Sequence, residues 1–262
     1  MKILAIGDLH GRIPNLRSLA GKEKPDIIIC TGDFADDEKI RELIFRNWGK
    51  PWWQNIGKKR ARQLVRESDK KGKKALEYLS KLNIPVYYIP GNSEGKYSYG
   101  KRILKNKSLH YSHLRKFRIS GHYFIFHGGY IEPRIFFSTK ILGERKKAAY
   151  LRRKRHDKEK KKIMRLFERT EKTVFVTHFT PYKLFDAVKN KKSPMNNKHV
   201  GVQAYSDIIK KYKPELYICG HMHENQGIAK IGRTRAICLG MGDKNVFLIK
   251  LDGKIAIRKR KL

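Results

Sequence analysis

Short apolar runs with the β-branched character of buried strands recur along the chain. They lie at Lys2–Ile6, Asp26–Cys30, Pro85–Ile89, Tyr123–Phe126, Thr173–Thr177 and Glu215–Cys219. Helical spacing of apolar positions falls between several of these runs, at Ile13–Lys22, Lys70–Leu82 and Gly201–Tyr212. Alternating strands and helices predict an α/β fold.

The pattern changes after Cys219, where short strands follow one another with only turns between them. These predicted strands are Gly227–Ile231, Thr234–Leu239, Asn245–Leu251 and Lys254–Arg258. Strands joined by turns pair antiparallel, so we expect a meander that closes the fold and makes its sheets mixed.

The charge balance is extreme for a chain of this size. The 262 residues include 61 Lys and Arg against 24 Asp and Glu, which gives a net charge of +37, and 40% of the residues are hydrophobic. An apolar share of that size is enough for a core, so we expect one folded domain over residues 1–262. The excess of positive charge indicates a polyanionic partner.

Two basic segments, at about 37–82 and 132–172, interrupt the alternation and are predicted to be helical insertions. Lys50–Lys74 carries ten Lys and Arg against two acids, and Arg145–Lys172 carries fourteen against four. A single basic run is commonly a solvated helix face. Two runs together favour a nucleic-acid surface, although adaptation to heat or to intracellular ions also produces lysine excess.

The three cysteines, Cys30, Cys219 and Cys238, all stand in apolar stretches. An odd number of buried cysteines argues against a disulfide framework and for a reducing compartment. The first residues have only a short apolar run before Asp8, and no run of 18 apolar residues occurs. We therefore expect a soluble, cytoplasmic protein without a membrane segment.

Residues that bind metals follow five of the predicted strands. The five loops read Gly7-Asp8-Leu9-His10, Gly32-Asp33-Phe34-Ala35-Asp36, Gly91-Asn92-Ser93-Glu94, Thr177-His178 and Gly220-His221-Met222-His223. Loops at the carboxyl ends of strands converge on one crevice in open α/β sheets. The oxygen and nitrogen donors suit Mn²⁺, Fe, Zn²⁺ or Ni²⁺ better than a soft thiolate site would.

This ordered set resembles the calcineurin-like metallophosphoesterase superfamily, in particular an archaeal and bacterial branch of phosphoesterases related to cyclic-nucleotide phosphodiesterases. The family pattern is D-x-H, G-D-x-x-D, G-N-H-[DE], H and G-H-x-H, and the resemblance spans residues 3 to 223. It implies a four-layer α/β sandwich of two mixed β-sheets flanked by helices. It also implies two divalent metal ions, with manganese favoured.

The resemblance assigns a role to each matching residue. One metal is expected on Asp8, His10 and His223, the other on Asn92, His178 and His221, with Asp33 bridging the two. A hydroxide between two such metals is the expected nucleophile. Asn92 is also placed to contact the phosphate.

One position departs from the family pattern, because Ser93 stands where a histidine usually donates a proton to the leaving group. A serine hydroxyl has too high a pKa for that role and is limited to hydrogen bonding with the substrate. Another histidine, metal-bound water or slow turnover would each account for the change. His127, at a predicted strand end, is our candidate for the acid or substrate role, and His199 has a similar claim.

Other residues have both a functional and a structural interpretation. Cations flank the three tryptophans Trp48, Trp52 and Trp53. The rings could stack on nucleobases, or they could anchor the insertion to the rest of the fold, which is the interpretation we favour. Lys96, Tyr97, Tyr99 and Lys101 follow the Asn92 loop and are predicted to line the mouth of the site. Asp36 is expected to support its loop, and Glu94 to pair with a cation.

The sequence thus predicts a dinuclear-metal phosphoesterase, a phosphodiesterase of nucleic acid or nucleotide. Within the enzyme class, a cyclic nucleotide or small diester is the rival substrate. The alternative from another class is a nucleic-acid-binding protein that retains the metal site with little or no turnover.

Overall fold

The computed structural model describes residues 1–94, 106–138, 146–168 and 172–262. Its strands are β1 (Lys2–Ile6), β2 (Ile27–Cys30), β3 (Val86–Tyr88), β4 (Leu109–Tyr111), β5 (Arg115–Ile119), β6 (His122–His127), β7 (Thr173–Thr177), β8 (Leu216–Cys219), β9 (Gly227–Ile231), β10 (Thr234–Cys238), β11 (Asn245–Asp252) and β12 (Lys254–Lys261). Its helices are α1 (Leu16–Glu23), α2 (Glu38–Arg46), α3 (Gly57–Ser80), α4 (Lys146–Leu166) and α5 (Gln203–Tyr212), with 3-10 turns at Arg134–Phe137 and His223–Asn225.

The strands form two mixed six-stranded sheets. Sheet one has the order β12-β11-β1-β2-β3-β4, and sheet two has the order β5-β6-β7-β8-β10-β9. Strands β1 to β4 run parallel, as do β6, β7, β8 and β10, whereas β11, β12, β5 and β9 pair antiparallel with their neighbours. Parallel neighbours bring their carboxyl ends to the same edge of each sheet.

Side chains alternate between the two faces of each strand and so build three apolar layers. In β1, Ile3 and Ala5 face the layer between the sheets, while Leu4 and Ile6 pack with Leu76 of α3 on the outer face. The outer face of sheet two is covered by α4 and α5 in the same way. Because strands buried on both faces must be apolar throughout, the continuous hydrophobic runs follow from this arrangement. The predicted four-layer α/β sandwich is confirmed.

The C-terminal strands differ from the predicted meander. They form two separate hairpins, because β9 and β10 join sheet two while β11 and β12 join sheet one. The antiparallel pairing of β11 with β1 places the second hairpin in the first sheet. The single meander was therefore wrong, although the individual strands lie where they were expected.

The first basic segment contains α2 and α3, and α3 begins earlier than predicted. Its buried stripe already starts at Ala61 and Leu64 and continues through Ser68 and Gly72 to the predicted part. Small residues at 68 and 72 let the helix lie close to the sheet, so the weakly hydrophobic first half still forms a buried face. The second basic segment forms α4, whose described part ends at Leu166.

Cys30, Cys219 and Cys238 are buried and carry free thiols, as the sequence predicted. None of the helices in the described ranges has an apolar stretch long enough to cross a membrane.

Candidate metal centre

The strand ends of both sheets meet at one edge, where the predicted metal ligands come together. Two groups of three donor residues form there, each with its ligand atoms within 4.8 Å of one another: Asp8, His10 and His223, and Asp33, His178 and His221. The predicted amide ligand adjoins the second group, since Asn92 Oδ1 lies 3.0 Å from His178 Nε2. Both groups combine residues that are distant in the sequence, so only the folded chain presents them.

Asp33 lies between the two groups. Its Oδ2 is 3.9 Å from His10 Nε2 in the first group and 3.4 Å from His178 Nε2 in the second. Its Oδ1 accepts a hydrogen bond from the amide of Ser93 at 2.8 Å. One carboxylate oxygen is thus held by the backbone and the other faces both groups, which is the placement a bridging ligand requires.

Three of these candidate ligands have a backbone conformation that is uncommon outside glycine. The φ angles are 45° at His10, 49° at Asp33 and 66° at His221. Asp and His tolerate this left-handed region better than most residues, at a cost of order 1–3 kcal/mol each. The surrounding structure holds the conformation, because the amides of Leu9 and His10 donate to the carbonyl of Asp33.

Gly32 allows the loops after β2 and β3 to touch. Its φ is +106°, and a Cβ at this position would lie 2.4 Å from the amide nitrogen of Gly91. No side chain fits such an approach. The contact brings Asp33 and Asn92 side by side, which supports the role predicted for the glycines before the ligands.

Glu94 is the residue that fastens these loops together. Its carboxylate is 7% exposed and accepts hydrogen bonds from the amides of Asp33, Ala35 and Gly91 at 2.9, 3.0 and 2.6 Å. It also accepts one from the Ser93 hydroxyl at 2.8 Å. Burial and the charge of Asp33 raise the pKa of Glu94 to about 7, while the amide donors oppose that shift. Among the described residues, the carboxylate is held by backbone amides and the Ser93 hydroxyl, whereas a cation was the partner expected.

The carboxylates of the centre favour positive charge on the rings between them. Burial lowers the pKa of His10, but the carboxylates around it, Asp37 first, outweigh burial and raise it to about 9. In the same way, Asp33 outweighs burial and raises the pKa of His178 to about 10. His221 differs, since burial and the neighbouring His178 lower its pKa to about 3. The field at both groups is therefore one that binds cations.

The donor set fits divalent metals. Asp8 is completely buried, and its Oδ1 has no hydrogen-bond partner among the described residues. A buried carboxylate oxygen without a partner is costly unless a cation or donor approaches it. Second contacts orient the rings as in metal sites, because His178 Nδ1 lies 2.8 Å from the Thr31 carbonyl and His10 Nδ1 lies 2.9 Å from Asp37. Each ring thus directs Nε2 to the centre.

A cleft of about 540 Å³ opens beside Asn92. One wall comes from the loop after β3, another from the strand ends at His113 and His127, and a third from α4 through Glu159 and Lys162. The second basic segment therefore forms a wall of the cleft next to the candidate metal ligands.

Comparison with known proteins places this geometry in a family. A family model described as calcineurin-like phosphoesterase matches residues 1–225. The chain belongs to the calcineurin-like phosphoesterase family. Members of this family are dinuclear-metal phosphoesterases, so the chain is a metal-dependent phosphoester hydrolase. Comparison with curated protein sequences gives no significant match.

Solved structures share the fold at low sequence identity. TT1561 of Thermus thermophilus is 17% identical with a TM-score of 0.55, over 98% of this chain and 97% of that one. Phosphopantetheinyl hydrolase PptH from Mycobacterium tuberculosis is 14% identical with a TM-score of 0.54, over 92% and 90%. GAP50, the anchor in the inner membrane complex of Plasmodium, is 12% identical with a TM-score of 0.54, over 100% and 84%.

The departure from the family pattern at Ser93 has a structural consequence. The Ser93 hydroxyl donates to Glu94, so its proton points away from any substrate. The hydroxyl is left with acceptor capacity only, and a general acid is absent from this position of the chain.

His127, the predicted acid, is almost completely enclosed. It is 1% exposed, with Nδ1 2.6 Å from the Tyr205 hydroxyl and Nε2 3.3 Å from Glu159. Burial lowers its pKa. Its role in catalysis stays a prediction, and its contacts place it as a support for the cleft wall. His199 is half-exposed and pairs with Asp186 at 2.6 Å.

The structure adds residues that the sequence did not single out. Asp37, and not Asp36, contacts His10, while Asp36 pairs with Lys71 at 2.5 Å. His113 is partly exposed in the cleft, and its Nδ1 accepts a hydrogen bond from the Gly128 amide at 3.3 Å. In the sequence, the adjacent acids Asp36 and Asp37 after Asp33 could have indicated the role of Asp37. No sequence pattern indicated that His113 would line the cleft. Lys96, Tyr97, Tyr99 and Lys101 lie outside the described residues.

Proposed function

We propose that the chain hydrolyses a phosphodiester of a nucleic acid or nucleotide in the cleft beside Asn92. The observation that supports this proposal is the cleft that runs from Asn92, one of the candidate metal ligands, to Glu159 and Lys162 of the basic helix α4. A cleft of about 540 Å³ has room for a second ester group beyond the phosphate. The net charge of +37 supports a polyanionic substrate.

In this proposal Asp8, His10 and His223 would hold one divalent ion, Asn92, His178 and His221 would hold the other, and Asp33 would serve both. Two such ions, with manganese favoured, would supply an activated water molecule and would neutralise charge on the phosphoryl oxygens. Glu94 keeps Asp33 in place through the amides of its loop.

His113 takes the position of leaving-group donor in this arrangement. Burial and the neighbouring His127 lower the pKa of His113 to about 4, so the ring is neutral near pH 7. Because Nδ1 accepts the Gly128 amide, the single ring proton resides on Nε2. A neutral Nε2–H would stabilise a departing oxygen by hydrogen bonding, and that oxygen would then take its proton from water. This role matters most for alkoxide leaving groups, which carry more charge at their oxygen than a nitrophenolate does.

Hydrolysis assays with Mn²⁺ test the proposal. We expect wild type to cleave bis(p-nitrophenyl) phosphate faster than p-nitrophenyl phosphate, and to cleave short single-stranded oligonucleotides. Asp33→Asn should lower kcat by at least about 100-fold, because loss of even an outer support of a metal costs about 10–100-fold. Monoester turnover that exceeds diester turnover would overturn the diester assignment.

The role of His113 has its own matched control. His113→Gln should lower kcat for an oligonucleotide by about 10–100-fold and for the nitrophenyl diester by much less. The control is His122→Gln. His122 lies at the start of β6, away from the end of that strand at His127 that lines the cleft, so both rates should stay unchanged. Equal losses with both substrates would show that His113 acts on folding or metal binding instead.

The second candidate function is nucleic-acid binding with little turnover, favoured by the missing general acid at Ser93. GAP50 shares the fold and is described as an anchor. Oligonucleotide binding by wild type without hydrolysis, with Mn²⁺, Fe²⁺, Ni²⁺ or Zn²⁺, would replace the first proposal with this one.

A further inference from the structure

A groove of about 410 Å³ lies on the first basic segment, away from the residues that line the cleft. We call it the tryptophan groove. The residues that matter for the argument are Trp52, Trp53, Lys58, Arg62, Val65 and Arg66. We propose that the tryptophan groove binds single-stranded nucleic acid by stacking bases on its two indole rings. Binding of a single strand to the groove does not require hydrolysis. The proposal rests on the proposed function only for the further point that the bound strand is the substrate.

The three tryptophans of this segment have different surroundings. Trp48 packs against the apolar cluster on the outer face of sheet two, so the anchor interpretation holds for this residue. Trp52 and Trp53 are only partly buried and line the open groove. Val65, at the same place on α3, is 38% exposed. An anchored segment that leaves two large rings and a valine partly exposed along an open groove indicates a binding surface.

The loop that carries the rings is held in one conformation. The buried side chain of Asn47 donates to the carbonyls of Leu43 and Trp52 and accepts from Asn55 at 2.9 Å. The carbonyl of Trp53 accepts the amides of Ile56 and Gly57. Because the backbone is fixed, ring stacking requires little further ordering, which favours binding.

Cations surround the rings at regular spacing. Lys58, Arg62, Val65 and Arg66 recur at helical intervals and so share one face of α3. The ammonium of Lys58 lies 5.4 Å from the centre of the Trp53 ring, a cation–π contact. Planar rings with cations beside them match the alternation of bases and phosphates in a single strand.

Other partners fit this surface less well. A duplex keeps its bases stacked inside, so it uses the cations but not the rings. An acidic peptide offers charge without regular planar groups. A second copy of the chain brings its own charge of +37 and is repelled.

The tryptophan groove is separate from the candidate metal centre. Helix α3 nevertheless connects the two, because it lines the groove and contacts the loop that carries Asp33. Lys71 of α3 contacts Asp36 in the loop of Asp33. At 1.5 Å per residue, Lys71 lies about 8 Å along the helix from Arg66 and about 20 Å from Lys58. The groove is therefore placed to hold a strand whose remainder extends toward the hydrolytic site.

Anisotropy of a fluorescein-labelled single-stranded ten-nucleotide DNA or RNA tests the proposal, with full-length Asp33→Asn protein so that hydrolysis does not interfere. We expect Trp53→Ala to weaken binding by about 5- to 150-fold and Trp53→Phe to retain most of the affinity. Lys58→Gln combined with Arg62→Gln should reduce the log–log salt slope by about 1.4, because each phosphate neutralised on a single strand adds about 0.7 to that slope. Lys74→Gln, on the same helix but outside the groove, should change affinity by less than about twofold.

Several outcomes would overturn the proposal. Equal affinity of Trp53→Ala and its parent, with thermal melting showing both folded, would mean that the rings do not bind bases. Equal binding of a duplex and a single strand would reduce the groove to an electrostatic patch. Ring-dependent binding to vesicles of anionic phospholipid without oligonucleotide binding would assign the surface to a membrane. Ring-dependent oligonucleotide binding by Asp33→Asn, together with no hydrolysis of bis(p-nitrophenyl) phosphate by wild type, would overturn the proposed function and support this proposal, which separates the two.

Discussion

Replacement of Glu94 by alanine tests whether one buried carboxylate holds the metal loops together. The side chain accepts three amide hydrogen bonds and one from the Ser93 hydroxyl while being 7% exposed. Two of the amides belong to the loop of Asp33 and one to the loop of Asn92. Removal of the carboxylate therefore leaves donors unpaired in both loops at once.

The expected loss follows from those donors. A buried donor without a partner costs about 1–3 kcal/mol, so three amides give an additive total of about 3–9 kcal/mol. Loop relaxation and entry of water reduce the sum, because contacts within one network are not additive. We expect Glu94→Ala to lower the free energy of unfolding by about 4 kcal/mol. Glu94→Gln keeps one acceptor oxygen, but its side-chain NH₂ group faces a backbone amide that is itself a donor. About half of that loss is therefore expected.

Urea unfolding of the chelator-treated protein at pH 8, where the Glu94 carboxylate with its pKa of about 7 is ionised, measures this loss together with the opposing cost of ionising a buried carboxylate beside Asp33. Glu42→Ala, an exposed residue of α2, is the matched control and should stay within about 0.5 kcal/mol of wild type. A Glu94→Ala protein within about 1 kcal/mol of wild type, on the same order as the control, would refute the reasoning. Isothermal titration with Mn²⁺ should also show weaker binding, because Asp33 loses its support.

Two further predictions concern pH and metal removal. The hydrogen bond from His127, helped by Lys162, holds the pKa of Glu159 at about 2, so its contribution to stability is fully present above about pH 4.5 and is lost as the pH falls toward 2. The difference in unfolding free energy between wild type and Glu159→Gln should therefore be constant from pH 5 to 7 and shrink at pH 3. An unchanged difference at pH 3 would contradict the stabilisation of the Glu159 carboxylate by His127 and Lys162. Chelation of two ions present at about 100 times their Kd removes about 2.7 kcal/mol per site, which corresponds to a fall in Tm of about 5–10 °C per site. Differential scanning calorimetry with and without chelator measures it, and an unchanged Tm would show that the ions do not bind the native state.

Much of the fold was readable because its strands are buried on both faces. Continuous apolar runs such as Lys2–Ile6 and Thr173–Thr177 coincide with β1 and β7. The short strand β4 and the strand β5, with alternating exposure, gave no such run and were missed. The placement of β11 beside β1 depends on contacts across most of the chain, which local patterns do not contain.

The candidate centre was readable for a different reason. Its ligands follow strands directly, so strand order alone brings Asp8, Asp33 and Asn92 to one edge. The supporting contacts were less accessible, because Asp36 and Asp37 differ by one position and only the turn decides which one reaches His10. The enclosure of His127 by Tyr205 and Glu159 likewise depends on two helices that are distant in sequence.

The candidate metal centre lies across the interface of the two sheets, so metal binding and folding are expected to depend on each other. In the first group Asp8 and His10 follow β1 of sheet one, whereas His223 follows β8 of sheet two; the second group is divided in the same way between Asp33 and His178. The forces that hold the apolar layer between the sheets are non-directional, whereas bonds to metal ions would fix distances. Only the native alignment presents both halves of a site, so ion binding stabilises that alignment over the unfolded chain. Asp33→Asn weakens both sites at once and should make Tm less sensitive to chelator than in wild type.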